Sequence, residues 1–436
     1  MQYTKYKLGD IADVKISGVD KVTNANEEPV RLCNFVDVYY NWAITKDMCP
    51  NFMMASAKER EINYFSLHKG QVAITKDSET RDDIGIATYI ADDFEETVLL
   101  GYHTALITPN DTIVDGKYLN ALLHSKYFHD YWFNNATGSG MRYTLSEQCI
   151  KEAIVYLPPL EVQKKIGKVL SNIDRKFAIN CKINDVLESM ARELFDYWFV
   201  QFDFPNAEGK PYKSSGGRMV YNKILKRNIP EGWTVRCLGD TFEHNRGISY
   251  NTQTITGEGI PMINLASFNV DGTYKPEGLK SYNGEYSNEK ILKPYDLVMC
   301  NTQQTAIDYS KDIIGKAFLV PDLTDGDIVS SHHVTTIIPY NNDYKAFYCY
   351  LFNTVYFHKY AASCSSGTNI MGLDFSGITR YMSELPPEEL LSKFSKFIID
   401  IQRRKSIIIK ENCKLASLRG LLLPLLMNGQ VKFSVQ

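Results

Sequence analysis

The side chains best placed to do chemistry in this sequence lie on two polar loops, each following a strand-like run, and the pair occurs twice. In the first half the loops are Thr75-Lys76-Asp77-Ser78-Glu79-Thr80-Arg81 and Thr137-Gly138-Ser139-Gly140-Met141-Arg142-Tyr143. In the second they are Cys300-Asn301-Thr302-Gln303-Gln304-Thr305 and Ser366-Gly367-Thr368-Asn369-Ile370-Met371-Gly372. The chemistry on offer is hydrogen bonding to base edges. Lys76, Ser78, Thr80, Arg81, Ser139, Arg142 and Tyr143 form a set rich in cations, and Lys and Arg pair best with guanine. Asn301, Gln303, Gln304, Thr368 and Asn369 form a neutral amide set, and Asn and Gln pair best with adenine. Unlike donors on like scaffolds suit the reading of two unlike short sequences. Drift of surface loops after a duplication would leave the same trace.

The duplication extends well beyond the loops. Tyr102 to Pro109 answers to His332 to Pro339, Tyr127-Phe128-His129 to Tyr356-Phe357-His358, and Leu157-Pro158-Pro159 to Leu385-Pro386-Pro387. Leu8-Gly9-Asp10 returns as Leu238-Gly239-Asp240, so the offset of these four segments is about 228–230 residues. Whole globular units have been repeated, each followed by a segment of different character.

Other chemistries find little support. No GxxxxGK[ST] loop is present to cradle a nucleotide, and Gly138-Ser139-Gly140 alone is no fingerprint. No Asn/Asp-Pro-Pro-aromatic tetrapeptide occurs, the motif with which amino-methyltransferases grip a flipped base. His103 and His333 hold equivalent places on a predicted strand and read as hydrogen-bonded structural residues; no nucleophile, base and orienter come together. The nine cysteines are scattered without a CxxC pair, which points to reduced thiols, no structural metal and no disulfide framework. No signal peptide or spanning run is visible, because Leu421 to Met427 is too short and contains Pro424. A cytoplasmic protein with no membrane association is expected.

Charge is unevenly spread beneath a net of −3. Residues 1–157 carry 15 Lys+Arg against 22 Asp+Glu, and residues 233–385 carry 11 against 16. Residues 158–232 carry 13 against 9 and residues 386–436 carry 9 against 4. The repeated units are acidic and the segments after them basic. A nucleic-acid partner therefore requires local basic faces on acidic bodies, since phosphate neutralisation supplies most of such affinity.

The acidic units read as α+β. Val30 to Val36, Gln71 to Thr75, Ile84 to Ile90 and His103 to Thr108 alternate as strands do, and Gly116 to Phe133 carries helical spacing. After Pro158-Pro159 the period changes. Ile166, Leu170, Ile173, Phe177, Asn180, Asn184, Leu187, Ala191, Leu194 and Trp198 recur at steps of four and three, the seam of a coiled coil. Ile398, Ile401, Ile408, Asn412 and Leu415 repeat it 228 residues later. Mutual antiparallel pairing of the two helices is expected, with Asn184 and Asn412 as polar residues able to pin register. The seam from Ile166 to Trp198 is roughly 48 Å long at about 1.5 Å per residue. Between helix and second unit, residues 206–228 hold six cations and glycines and read as a loop, either a solvated linker or an arm for phosphates.

Taken in order, these features resemble the specificity subunit of a Type I restriction-modification system. The resemblance covers essentially the whole chain. It rests on Leu8-Gly9-Asp10, Trp233 with Leu238-Gly239-Asp240, Leu157-Pro158-Pro159-Leu160 with Gln163-Lys164-Lys165-Ile166, Leu194 to Phe199 with Phe202 to Pro205, and Leu421 to Leu426 with Gly429. Glu388-Glu389-Leu390 departs from the pattern at the second helix. The resemblance implies recognition domains at 1–157 and 233–385, spacer helices at 158–201 and 386–436, a linker at 202–232, and an antiparallel helical rod. It implies a chain without catalysis or cofactor of its own that binds double-stranded DNA. Two methyltransferase subunits using S-adenosylmethionine and two ATP- and Mg-dependent translocase–nuclease subunits would supply the chemistry. A specificity-like adaptor of another phage-defence complex remains an alternative, as does a methyltransferase or nuclease in its own right.

Overall fold

A computed structural model describes residues 3–139, 141–304 and 311–431. The chain forms two compact units, one of Met1–Ile179 with Cys413–Gln436 and one of Asn180–Asn412.

Each globular body is closed by its own ends. In the first, Thr4–Lys7 pairs antiparallel with Ile154–Leu157, and the Leu8 N–H donates to Ala153 O at 2.8 Å. In the second, Thr234–Cys237 pairs with Met382–Leu385, and the Leu238 N–H donates to Tyr381 O at 2.9 Å. The repeated Leu-Gly-Asp has a mechanical cause here. Leu8 and Leu238 are fully buried. A Cβ on Gly9 would lie 2.9 Å from Lys151 Cβ, and one on Gly239 2.9 Å from Thr379 Cβ. Only glycine lets the two turns approach so closely.

The central sheets share an order of four strands, and the first adds Ala43–Ile44 at its edge. The first has the order Ala12–Ile16, Thr104–Pro109, Val72–Thr75, Ala87–Ile90, Ala43–Ile44. The second has Phe242–Arg246, Val334–Pro339, Leu297–Cys300, Ala317–Leu319. Both units are mixed α and β, as the alternation predicted, but three details differ. The helical stretch from Gly116 breaks into Gly116–Leu123 and Lys126–Asn135, which turns Phe128 and Trp132 into the core. The strand at Val30 ends at Cys33, because Asn34 and Asp37 form a capping box that starts the helix Phe35–Tyr40. The supposed loop 206–228 carries a hairpin, Met219–Asn222 against Arg227–Pro230. Aromatic anchors fasten it: Phe204 stacks on Tyr212 at 4.6 Å and on Trp233 at 5.6 Å, while Phe202 and Ile229 are buried.

The two long helices are Leu160–Phe195 and Glu388–Met427. The first starts where Gln163, buried, bonds Pro158 O at 2.9 Å, Ile113 O at 3.1 Å and Asp115 N–H at 3.1 Å. Leu391 sits at the matching place of the second helix, fully buried, so the departure from Gln exchanges a hydrogen-bonded plug for an apolar one. In the first unit Ile166 and Leu170 share a core with Leu426 and Met427, and Asp174 faces Arg419 at 3.7 Å. In the second, Asn180 Nδ2 donates to Asn412 Oδ1 and Glu411 Oε2, both at 2.8 Å. There too Lys405 meets Glu188 at 2.6 Å, and Phe195 lies 6.0 Å from Phe394. Within each unit residue numbers fall along one helix as they rise along the other. The helices pair antiparallel.

Ile166, Leu170, Ile398 and Ile401 are buried, whereas Ile173, Asn184, Leu187, Ile408 and Leu415 are half-buried. Phe177 is 37% exposed. The polar contact of the seam is Asn180 with Asn412, one turn from the expected Asn184, whose Oδ1 is buried without a hydrogen-bond partner among the described residues.

An arginine fastens each body to the helices. Arg419 lies 5.3 Å over the ring of Trp42. Arg192 donates to Asp271 O at 2.9 Å and Oδ2 at 3.0 Å while holding Glu188 at 2.9 Å.

Two outcomes follow from these contacts. Asn180→Ala removes the donor to Asn412 and Glu411 and is expected to cost about 1–2 kcal/mol in urea unfolding. His124 stacks on Trp42 at 4.3 Å, and burial lowers its pKa from 6.5 to about 4. The folded state therefore refuses a proton that the unfolded chain accepts. The stability contributed by neutral His124 is intact above pH 6.5 and is lost progressively as the pH falls towards 4. Melting of His124→Phe should fall less between pH 7 and pH 5 than that of the wild type.

Candidate nucleic-acid interface

A second, smaller sheet brings the two polar loops of each half together. In the first unit Thr137–Ser139 pairs with Arg142–Thr144, which pairs with Asp77–Ser78, placing Ser78 opposite Tyr143 and Asp77 opposite Thr144. In the second, Ser365–Ser366 pairs with Ile370–Leu373, which pairs with Thr302–Gln304, placing Thr302 opposite Gly372. Gly138 and Gly367 make both turns possible. Their φ angles are +130° and +142°, and a Cβ would lie 2.1 Å from Arg142 O in one and 2.0 Å from Ile370 O in the other.

In the first unit this sheet stands over an open cavity of about 430 Å³ lined by Ser17, Lys76, Asp77, Tyr102, His103, Arg142 and Thr144. Asp77 is its centre. The carboxylate, 8% exposed, accepts from Lys76 Nζ at 2.8 Å, His103 Nδ1 at 2.7 Å and Arg142 Nη2 at 3.2 Å. Burial pushes the pKa of Asp77 up, but the bonds from Lys76, Thr144 and His103 outweigh it and hold the group below the usual carboxylate range. Arg142 Nη2 also meets the His103 ring, at both Nδ1 and Nε2. His103 adopts φ +71°, a left-handed conformation uncommon for a residue with a Cβ.

The remaining expected residues of this loop pair fall nearby. Arg81 lies 4.9 Å over the ring of Tyr143, and Ser78 Oγ accepts the N–H of the exposed Thr80 at 3.3 Å. Ser139 contributes strand backbone; its side chain, like Gly140, lies outside the described residues. Sequence reasoning omitted Asp77 and His103 from the site. The recurrence of a histidine at the same strand position was the available signal.

The second unit builds the corresponding contact without a carboxylate. His333 Nδ1 meets Thr302 Oγ1 at 2.7 Å, where His103 meets Asp77. Burial, then His332, Arg246 and Lys280, lower the His333 pKa below the ordinary imidazole value. Asn301 and Gln303 are buried and turned inward. Asn301 Nδ2 donates to Thr335 Oγ1 at 2.8 Å and His332 O at 3.2 Å, and Gln303 Oε1 accepts from the Ile313 N–H at 2.7 Å. Thr368 and Asn369 are exposed in the turn, and the Gln304 side chain and Thr305 lie outside the described residues. Ile370, 59% exposed, stands where Arg142 stands in the first unit.

A family model for the Type I restriction modification DNA specificity domain matches residues 2–189. The MjaIX specificity subunit of the Type I restriction enzyme of Methanocaldococcus jannaschii is 24% identical, over 98% of this chain and 97% of that one. Residues 2–189 thus match the specificity-domain family, and the whole chain is similar to Type I specificity subunits. The HindI specificity subunit of Haemophilus influenzae is 25% identical over 81% of this chain and 85% of its own. The fold agrees with the crystal structure of a Type I restriction-modification S subunit from M. genitalium, at a TM-score of 0.62 and 13% identity, over 98% of this chain and 96% of the other. Among the described residues no helix is long and apolar enough to cross a membrane.

The turn glycines give a direct check on the small sheet. Gly138→Ala is expected to cost about 1–3 kcal/mol of local strain. Amide exchange should rise across residues 137–144 while Thr104–Pro109 stays protected.

Proposed function

We propose that each unit reads one half of a two-part DNA target, that the paired helices set the unread spacer, and that the subunit does this for catalysts on other chains. The observation that carries this reading is the repetition of one scaffold with two unlike side-chain sets over its small sheet, an ion-paired carboxylate at Asp77 and a hydroxyl at Thr302. A single-site reader gains nothing from such a pair. Two methyltransferase subunits, using S-adenosylmethionine, and two ATP- and Mg-dependent translocase–nuclease subunits are the catalysts.

The first long helix offers a place for one of them. Ile183, Val186 and Met190 recur at steps of three and four and are 42%, 58% and 47% exposed. An apolar stripe left open to water on a helix is the usual mark of a partner surface. Val186→Glu is expected to abolish co-purification with the methyltransferase subunit without lowering the melting temperature of the free chain.

Spacer length is the decisive test. Inserting one helical turn within residues 166–198, with a matching turn in the second helix to keep the seam in register, should lengthen the spacer and leave both half-sites as they were. Methylome sequencing that found altered half-sites around an unchanged spacer would refute the reading. The acidic bodies also predict that the free subunit binds target DNA weakly and that affinity rises when methyltransferase subunits close on the duplex. Gel shifts with and without those subunits check this at fixed salt.

A further inference from the structure

We propose that Arg142 reads a guanine in the first half of the target and that Asp77 is the positioning residue that holds it ready. The inference rests on the reading that the first unit contacts one half-site, and it names the base and the group that meets it.

Arg142 lies on the middle strand of the small sheet with its side chain 54% exposed. Its Nη2 donates to Asp77 and meets the His103 ring at Nδ1 and Nε2. Among the described residues no hydrogen bond engages its Nε or Nη1, so part of the guanidinium is tethered and part is presented. A long side chain normally loses rotamer freedom on binding; one already fixed by a buried carboxylate has lost it beforehand. Guanine displays two acceptors, O6 and N7, to the major groove, and arginine is their commonest partner.

Charge supports a base contact through the same atoms. Lys76 and Arg142 together carry two positive charges against one on Asp77, and Lys76 is the more enclosed, at 17% exposure against 54%. The surplus cation is therefore displayed through Arg142. An unbuttressed surface arginine would meet any phosphate. Here the guanidinium is fixed at one spot, and a fixed donor set selects one acceptor pattern. The second unit serves as an internal control: Ile370 takes the place of Arg142 and Thr302 that of Asp77, so that position carries no such donor.

The test uses the full chain assembled with its methyltransferase subunits, with the methylome and binding to matched and singly substituted duplexes as readouts. Arg142→Ala should relax the guanine requirement at one position of the first half-site, by roughly 5- to 150-fold in discrimination, and leave the second half-site intact. Asp77→Asn, which keeps shape but weakens the tether, should relax the same position to a lesser degree. Arg142→Lys keeps the charge and guards against loss of fold; discrimination at that position should still fall. Uniform weakening on all sequences, with the salt slope reduced by about one and the motif unchanged, would make Arg142 a phosphate contact and overturn the proposal. A relaxed position in the second half-site would overturn it too. A wild-type complex with no two-part motif would instead refute the parent reading, so the two failures are distinguishable.

Discussion

Everything in this molecule depends on each globular body being closed by its own two ends. Strands Thr4–Lys7 and Ile154–Leu157, and Thr234–Cys237 and Met382–Leu385, bring the chain out where it came in. The exit strand then passes directly through two prolines into a long helix. A domain tied off in this way needs no strand from its neighbour, and its loops can change without loosening the helices. Leu8, Gly9 and their counterparts Leu238 and Gly239 are the residues that make the closure tight. The repetition of the whole architecture follows from the repetition of this one junction.

On that fixed frame the two halves diverge where a ligand would feel it. A histidine hydrogen-bonds the neighbouring strand in both, but the partner is a buried carboxylate in one half and a hydroxyl in the other. One substitution of that kind changes the sign of the charge that a site can balance. Lys76 and Arg142 are tolerated together because Asp77 lies between them; around Thr302 the same two cations would repel. The acidic net charge of the first unit is compatible with a cation displayed at Arg142, since Asp77 beside it is bound in ion pairs, as Glu96 is by Arg31.

Much of the fold was legible because the constraints on it select residue types. Glycine at a φ of +130° or +142°, leucine at a closed junction, proline before a helix and apolar residues at steps of three and four each leave a signature in one dimension. The site was less legible. Asp77 and His103 are 26 residues apart and meet only through strand pairing and a left-handed turn at His103, neither of which leaves a local pattern. Asn301 and Gln303 have the composition of a reading loop, yet their amides are spent on protein groups. An amide on a short strand serves either purpose, and sequence does not say which way it points. The seam has the same ambiguity: Asn180 and Asn184 both lie on it, one turn apart, and tertiary packing decides that Asn180 meets Asn412. Periodicity likewise gave no sign that aromatic anchors would order residues 202–233.

The discontinuity of the first unit bears on how the protein is made. Ile166 and Leu170 share a core with Leu426 and Met427, so a body begun before the second unit is sealed by residues that follow it. The second unit is one uninterrupted stretch and suffers no such delay. During synthesis, then, the leading body waits with part of its greasy surface bare while the trailing one is already complete. A nascent chain of this kind invites chaperone attention at the leading body, and a stop codon ahead of Leu426 would damage that body more than the trailing one.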